Sequence, residues 1–173
     1  EAWALPGGFL PQTSEMDDEV GLILKDRTDL TNIFMDQFYT FSSADRGWDC
    51  NQLSRATFAN LLLEWPSEHR DTITNWFKGR FITTAYMAMV NAKKTIPSPD
   101  AFSSACEWVV IDALPPLVLD HEQIIQKAIA HLRTKINYLP IGRSLLEARF
   151  TMTDMQRLYE AILGKKLDRG NFQ

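Results

Sequence analysis

Apolar positions along the chain fall into alternating helical and extended stretches. Over residues 16–29, Val20, Ile23 and Leu24 recur at spacings of three and four, with Arg27 at the i+7 position, which is the pattern of an amphipathic helix. Residues 33–41 come next, with aromatic and β-branched side chains, and read as a strand. Residues 52–64 and 67–78 carry two short helical patterns separated by Pro66. Residues 81–90 form a second strand candidate, in which Ile82, Thr83, Thr84 and Tyr86 favour extended backbone. A loop occupies 96–100, a short strand is predicted over 107–111, and Pro115-Pro116 closes the segment after that strand.

The best-marked helix starts at Asp120, whose side chain can cap the first turn with Gln123 at the reciprocal position of a capping box. Its apolar stripe is Ile124, Ile125, Ala128, Ile129, Leu132 and Ile136; Pro140 ends it, and a domain boundary is expected near Tyr138. Three short helices are predicted beyond that point. The first covers 141–148. The second is capped by Thr151 with Asp154 three residues on, buries Met152, Met155, Tyr159 and Ile162, and is stopped by Gly164. The third starts at Arg169 with Asp168 as its cap. A helix, a tight turn and a second helix, with basic residues gathered at the second turn, is the layout of a helix-turn-helix.

Charge changes this picture more than composition does. The 173 residues are 45% hydrophobic and 23% charged, ordinary values for a soluble globular protein. No apolar run approaches the roughly 18–20 residues of a membrane helix, and no secretory leader is visible ahead of Trp3, so a cytoplasmic chain without a membrane partner is expected. The net charge of −4 is unevenly spread. Arg133, Lys135, Arg143, Arg149, Arg157, Lys165, Lys166 and Arg169 against Glu147, Asp154, Glu160 and Asp168 give residues 133–173 a net of +4 and leave −8 for 1–132. A basic segment on an acidic body suits a polyanionic partner, although a solvated cationic helix pair has the same balance. Cys50 and Cys106 have no CxxC companion and read as free thiols. His69, His121 and His131 are scattered and read as surface or packing residues, so no metal and no cofactor is expected.

Trp3-Ala4-Leu5-Pro6-Gly7-Gly8-Phe9 resembles the strand entry of a Nudix domain, W-x-L-P-G-G-F. The two glycines after Pro6 allow unusual backbone angles and close approach of another group. The family continues as G-x5-E-x7-R-E-U-x-E-E-x-G-U, with U a bulky apolar residue. Laid on that frame from Gly8, the first glutamate is Ser14, the R-E pair is Leu22-Ile23, the E-E pair is Asp26-Arg27 and the glycine is Asp29, while Leu24 and Leu30 keep their apolar positions. Nudix hydrolases hold divalent cations with several carboxylates of this helix, and hard cations need multiple oxygen ligands. One carboxylate, Asp26, beside the cationic Arg27 makes a weak cation site, so no catalytic residues are assigned. The competing reading, a hydrolase of nucleoside diphosphate derivatives, requires metal at Asp26.

The C-terminal part resembles the Nudix-related transcriptional regulators of the NrtR and AraR type, whose segment F-T-L-x-x-L-Q-x-x-Y-E-x-I-L-G-x-x-L-D-x-x-N-F is matched from Phe150-Thr151-Met152 through Gln156, Tyr159-Glu160, Ile162-Leu163-Gly164 and Leu167-Asp168 to Asn171-Phe172. Leu114-Pro115-Pro116-Leu117 and Asp120-His121 also look like the end of the Nudix domain in those proteins. The resemblance implies an α+β protein. Residues 1–138 would be a degenerate Nudix-like effector domain, a mixed sheet flanked by helices, with a helical insertion at 47–79. Residues 139–173 would be a partial winged helix. The family has two strands before the W-x-L-P-G-G-F entry and continues past N-F into the rest of the recognition helix and a wing, so an incomplete chain is expected.

The function this implies is a ligand-responsive regulator binding a double-stranded DNA operator as a homodimer, with a sugar, sugar-phosphate or ADP-ribose-like effector. Candidate effector-binding residues are Trp3, Gly7, Gly8, Arg46 and Arg80, since arginine at a pocket mouth suits phosphate or sugar hydroxyls. Candidate DNA contacts are Thr153, Lys165, Lys166, Arg169, Asn171 and Gln173, the cationic ones on phosphates and Asn171 and Gln173 near the groove. Phe172 reads as packing. A third reading makes 47–79 a protein-binding module displaying Trp48, Phe58, Trp65, Trp76 and Phe77; the alternative is that these aromatics pack the insertion on its own domain.

Overall fold

A computed structural model describes residues 3–44, 46, 59, 66–99, 103–136, 138, 145–146, 149–168 and 170. Helix α1, Met16–Thr28, carries Asp17, Asp18 and Glu19 in its first turn and Lys25 and Arg27 in its last, charges that complement the helix dipole. Asp29 ends it in the left-handed conformation (φ 55°), with its N–H returned to the Lys25 carbonyl. Strand β1, Met35–Phe41, pairs with β2, Thr83–Ala88, in a two-stranded antiparallel sheet. Helix α2, Ser67–Phe77, lies between them in sequence and starts after Pro66, whose fixed φ suits a helix entry. A 3-10 turn at Ile111–Ala113 precedes α3, His121–Lys135, and α4, Met152–Leu163, comes last.

These elements distribute over two compact units. The first comprises Glu1–Gly7, Tyr39–Ala85 and Val109–Ile125. Ala85, Val118 and Ile124 are its buried apolar residues among those described. Its N-terminal segment is fixed by a parallel bridge between Trp3 and Leu117, with the Val118 N–H donating to the Trp3 carbonyl. The second unit comprises Gly8–Phe38, Tyr86–Trp108 and Gln126–Gln173, with Ile136 and Thr95 buried. The Thr95 hydroxyl donates to the Asn91 carbonyl, so its burial leaves no unsatisfied donor. Residues 139–173 fall wholly in this unit.

The α+β class and the order of elements agree with the sequence pattern, with local corrections. Residues 107–111 are no strand: they run without a ladder partner into the 3-10 turn, and Val110 is 71% exposed. A β-branched run becomes a strand only when a neighbour accepts its backbone bonds. One tie of this stretch is the Trp108 indole N–H, 2.9 Å from the Thr95 carbonyl. Asp120, read as the cap of α3, also has an ion-pair role: both its carboxylate oxygens accept from Arg46. Met152 is exposed, whereas Met155, Tyr159 and Ile162 are half-buried, because position 152 is the first residue of α4 and precedes the turn that packs. Gly7 and Gly8 do not use positive φ; among the described residues Gly164 is the glycine that does. The helices read at 52–64 and 141–148, and Cys50, lie outside the described residues.

Candidate functional site

Two clusters carry the sequence-predicted residues, one in each unit. In the first unit, Arg46 sits on the segment after β1. Its Nε and Nη2 donate to the two carboxylate oxygens of Asp120 at 2.5 and 2.9 Å, a bidentate pair. Its Nη1 donates to the Thr83 hydroxyl and to the Phe81 carbonyl, and the guanidinium lies 5.8 Å from the centre of the Phe41 ring. Both charged side chains are largely enclosed, at 10% and 14% exposure. Arg46 is thus held by residues from β1, β2 and the start of α3, and its charge is already matched by Asp120.

His121 adjoins this pair. Its Nδ1 accepts the Leu5 N–H at 2.9 Å, which requires an unprotonated Nδ1. Burial pushes the imidazole below the ordinary histidine range; the Asp120 carboxylate opposes that and the Arg46 guanidinium adds to it. Trp3 and Leu5 are therefore fixed against 117–121 by backbone and side-chain bonds together. Gly7 is exposed, and a Cβ there would meet only the Leu5 carbonyl, at 4.0 Å. Arg80 is exposed and donates to the Ser42 carbonyl. Of the effector candidates, Trp3, Gly7, Arg46 and Arg80 thus belong to one compact unit, and Arg46 is the one built into a network.

In the second unit, Gly8 approaches α1 closely: a Cβ there would sit 3.0 Å from Ile23 Cδ1. Tyr86 from β2 meets Asp17 of α1 and Gln37 of β1, each at 3.2 Å, and burial, then Asp17, raises its hydroxyl pKa. Among the described residues no group of three or more His, Cys, Asp or Glu side chains is placed to hold a metal ion, Asp26 included. His131 of α3 contacts the Asp36 carboxylate through Nε2 at 2.6 Å, beside the Phe38 ring.

The C-terminal cluster is built on α4. Thr151 caps it: the hydroxyl accepts from the Asp154 N–H at 3.2 Å, and the Asp154 carboxylate accepts from the Thr151 N–H at 2.9 Å. Those bonds hold the Asp154 carboxyl below the ordinary carboxylate range. At the other end Gly164, φ 67°, closes the helix. The turn after it is locked by Glu160. This carboxylate accepts the Leu167 N–H at 2.9 Å and the Gln156 amide at 3.1 Å, while the same amide donates to the Leu167 carbonyl at 3.0 Å. The Leu167 bond is the main cause of the lowered Glu160 pKa, with Gln156 second. Lys165 and Lys166 stand exposed on this turn, Lys166 only loosely paired with Glu160 at 3.5 Å. Thr153 is exposed on the first turn of α4. Asp168 accepts the Gly170 N–H, a local side-chain-to-backbone bond. Arg169, Asn171, Phe172 and Gln173 lie outside the described residues, as do Trp48, Phe58 and Trp65; Trp76 is half-exposed with its ring edge-on to Phe81 at 5.1 Å.

Sequence reasoning did not assign roles to Gln156, Glu160 or Arg133, nor an ion-pair role to Asp120. Gln156 and Glu160 are four apart on a helix and so share a face, which was a readable signal; their common partner, the Leu167 backbone, was not. Arg133 donates from Nε to the Ile162 carbonyl at 3.0 Å, and no local pattern announces it.

Comparison with known proteins agrees with this arrangement. Residues 142–173 match the family described as the NrtR DNA-binding winged helix domain. The chain is 26% identical, over 99% of its length, to the ADPR responsive transcriptional repressor NtrR of Acinetobacter baylyi, and it spans 58% of that relative. Its fold is similar to that of Shewanella oneidensis NrtR, with TM-score 0.66 and 23% identity, covering 99% of this chain and 68% of that one. The same protein complexed with a 27mer DNA gives TM-score 0.65, again at 23% identity, covering 99% of this chain and 66% of that one. A MutT/nudix family protein from Enterococcus faecalis gives 0.64 at 22% identity, with 99% and 66% covered. The chain is thus similar to Nudix-related regulators of the NrtR type: its α+β fold is like theirs, and its C-terminal end matches their winged-helix domain.

Proposed function

We propose that the chain is a ligand-responsive, DNA-binding transcriptional regulator whose Nudix-like part senses an effector and does not hydrolyse it. The observation that carries this reading is the turn after α4. Glu160 and Gln156 spend their hydrogen bonds on ordering a loop whose outward side chains are Lys165 and Lys166, within the segment that matches the winged-helix family. Ordered cations on a turn that follows a helix suit phosphates of a duplex, which fix register without reading sequence. Residues 1–138 form the effector part, with 47–79 as an insertion, and 139–173 the DNA-binding part. Arg169, Asn171, Gln173 and Thr153 complete the DNA contacts, and two copies of the chain read a palindromic operator.

The effector chemistry rests on the relative described as ADPR responsive and on the arginines of the first unit. Arg80, exposed beside Ser42, is a cation of that unit suited to a diphosphate, and Trp3 and Gly7 of the same unit are its companions, with Gly8 next in sequence. Arg46 acts by holding Asp120 in place. Loss of hydrolysis rests on the Nudix-like segment, where Ser14, Ile23 and Arg27 stand at carboxylate positions. Fluorescence anisotropy with an operator duplex, titrated with ADP-ribose, tests the reading. Binding that weakens with salt and responds to ADP-ribose supports it. A chain that binds no duplex at low salt overturns it.

A further inference from the structure

We infer that Arg133 is the positioning residue through which the effector part acts on the DNA-binding segment, a proposal that rests on the regulator reading above. Arg133 lies in the last turn of α3. Its Nε donates to the Ile162 carbonyl, one of the carbonyls that an α-helix leaves without an intrahelical partner at its C-terminal end. Positive charge at that end also interacts favourably with the helix dipole. The guanidinium reaches past Ile162 to the closing residue: a Cβ on Gly164 would lie 3.1 Å from Nη2 of Arg133. A second tie runs the same way, from the Tyr159 hydroxyl to the carbonyl of buried Ile136, at 3.4 Å.

The other side of α3 is tied to the sheet. His131 is bonded to Asp36 of β1 at 2.6 Å and packs beside Phe38. Residues two apart on a helix point roughly 200° from each other, so His131 and Arg133 reach out from nearly opposite faces. The last turns of α3 therefore stand between β1 and the end of α4. Any shift of α3 against β1 moves the guanidinium, and with it the carbonyl end of α4 where the Lys165-Lys166 turn begins. Two sites are coupled when one element has different contacts in the two states, and coupling of this kind commonly amounts to about 5–150-fold in affinity.

The test uses the full chain, an operator duplex and ADP-ribose. Three quantities are measured for wild type, Arg133→Ala and Arg133→Lys: duplex affinity, ADP-ribose affinity by calorimetry, and the ratio of duplex affinities without and with ADP-ribose. Arg133→Ala should leave ADP-ribose affinity within about twofold while the ratio collapses toward one, and Arg133→Lys, which keeps a charged donor, should restore part of it. A ratio equal to wild type in Arg133→Ala overturns the proposal. So does a fall in ADP-ribose affinity that matches the fall in the ratio, since that marks general damage. Gly164→Ala gives a second route if Arg133→Ala does not fold. Its added methyl presses on the guanidinium, and a ratio unchanged by that substitution also counts against Arg133. Failure of wild type to bind the duplex is a separate result, which strikes the regulator reading itself.

Discussion

Arg46 and Asp120, 74 positions apart in sequence, form a two-bonded ion pair that joins the segment after β1 to the start of α3. Taking two charges out of water is costly, and the attraction between them offsets that cost only with good geometry and further hydrogen bonds. Thr83, the Phe81 carbonyl and the Phe41 ring supply those for the arginine.

Removing one partner should therefore cost more than removing both. Arg46→Ala or Asp120→Ala leaves a mostly enclosed charge without its counterpart and is expected to destabilise by about 3 kcal/mol. The double variant should cost clearly less than the sum of the two. Urea denaturation of the four proteins measures this. Additive losses would show that the pair contributes no coupling.

His121 makes the same region acid-sensitive. Its folded-state pKa lies below the ordinary 6.5, chiefly because it is buried. Stability from the neutral, Nδ1-accepting imidazole is complete above the unfolded pKa near 6.5 and is lost as pH falls through the folded value. One proton taken up on unfolding gives a slope of at most about 1.4 kcal/mol per pH unit. His121→Asn, whose amide oxygen can accept from Leu5, should flatten the loss of stability between about pH 7 and pH 5. Melting temperatures of both proteins across that range provide the comparison, and parallel curves would remove His121 from the account.

Local features were legible in the sequence. The cap of α4 needs only Thr151 and Asp154, three residues apart, and its stop needs only Gly164, so both are found where the pattern puts them. The α1 boundaries come from periodicity in the same way. The stretch 107–111 was misread because strand formation depends on a partner that its own residues do not encode. The ion pair of Asp120 was not legible because a carboxylate before a helix suggests a cap, and its partner Arg46 is far away in sequence. Arg133 was invisible because its partner is a backbone carbonyl, which no side-chain pattern marks.

Hydrolysis should be absent. With Ser14, Ile23 and Arg27 at positions where Nudix hydrolases carry carboxylates, Asp26 is the one carboxylate left in that frame and offers too few oxygens for a magnesium or manganese ion. Purified protein incubated with ADP-ribose and either cation should release no AMP above a blank. Turnover that disappears in Asp26→Asn would sink the idea.

The turn after α4 separates charge from order. Each phosphate that a cation neutralises releases counterions, so replacing both Lys165 and Lys166 by alanine should flatten the salt dependence of duplex binding by up to about 2 units, for every sequence alike. Glu160→Ala leaves both lysines in place but removes the acceptor that holds Leu167 and Gln156. It also removes a negative charge from beside Lys166, which on its own would strengthen binding. That pair spans 3.5 Å with Lys166 94% exposed, so solvent screens it and its contribution is small. The hydrogen bond to Leu167 is shorter and enclosed, and an ordered loop binds without first losing conformational freedom. Loss of order should therefore win: Glu160→Ala is expected to weaken binding several-fold with the salt slope unchanged. Anisotropy titrations at four salt concentrations distinguish the two variants. Tighter binding by Glu160→Ala would mean that charge, not order, governs this turn.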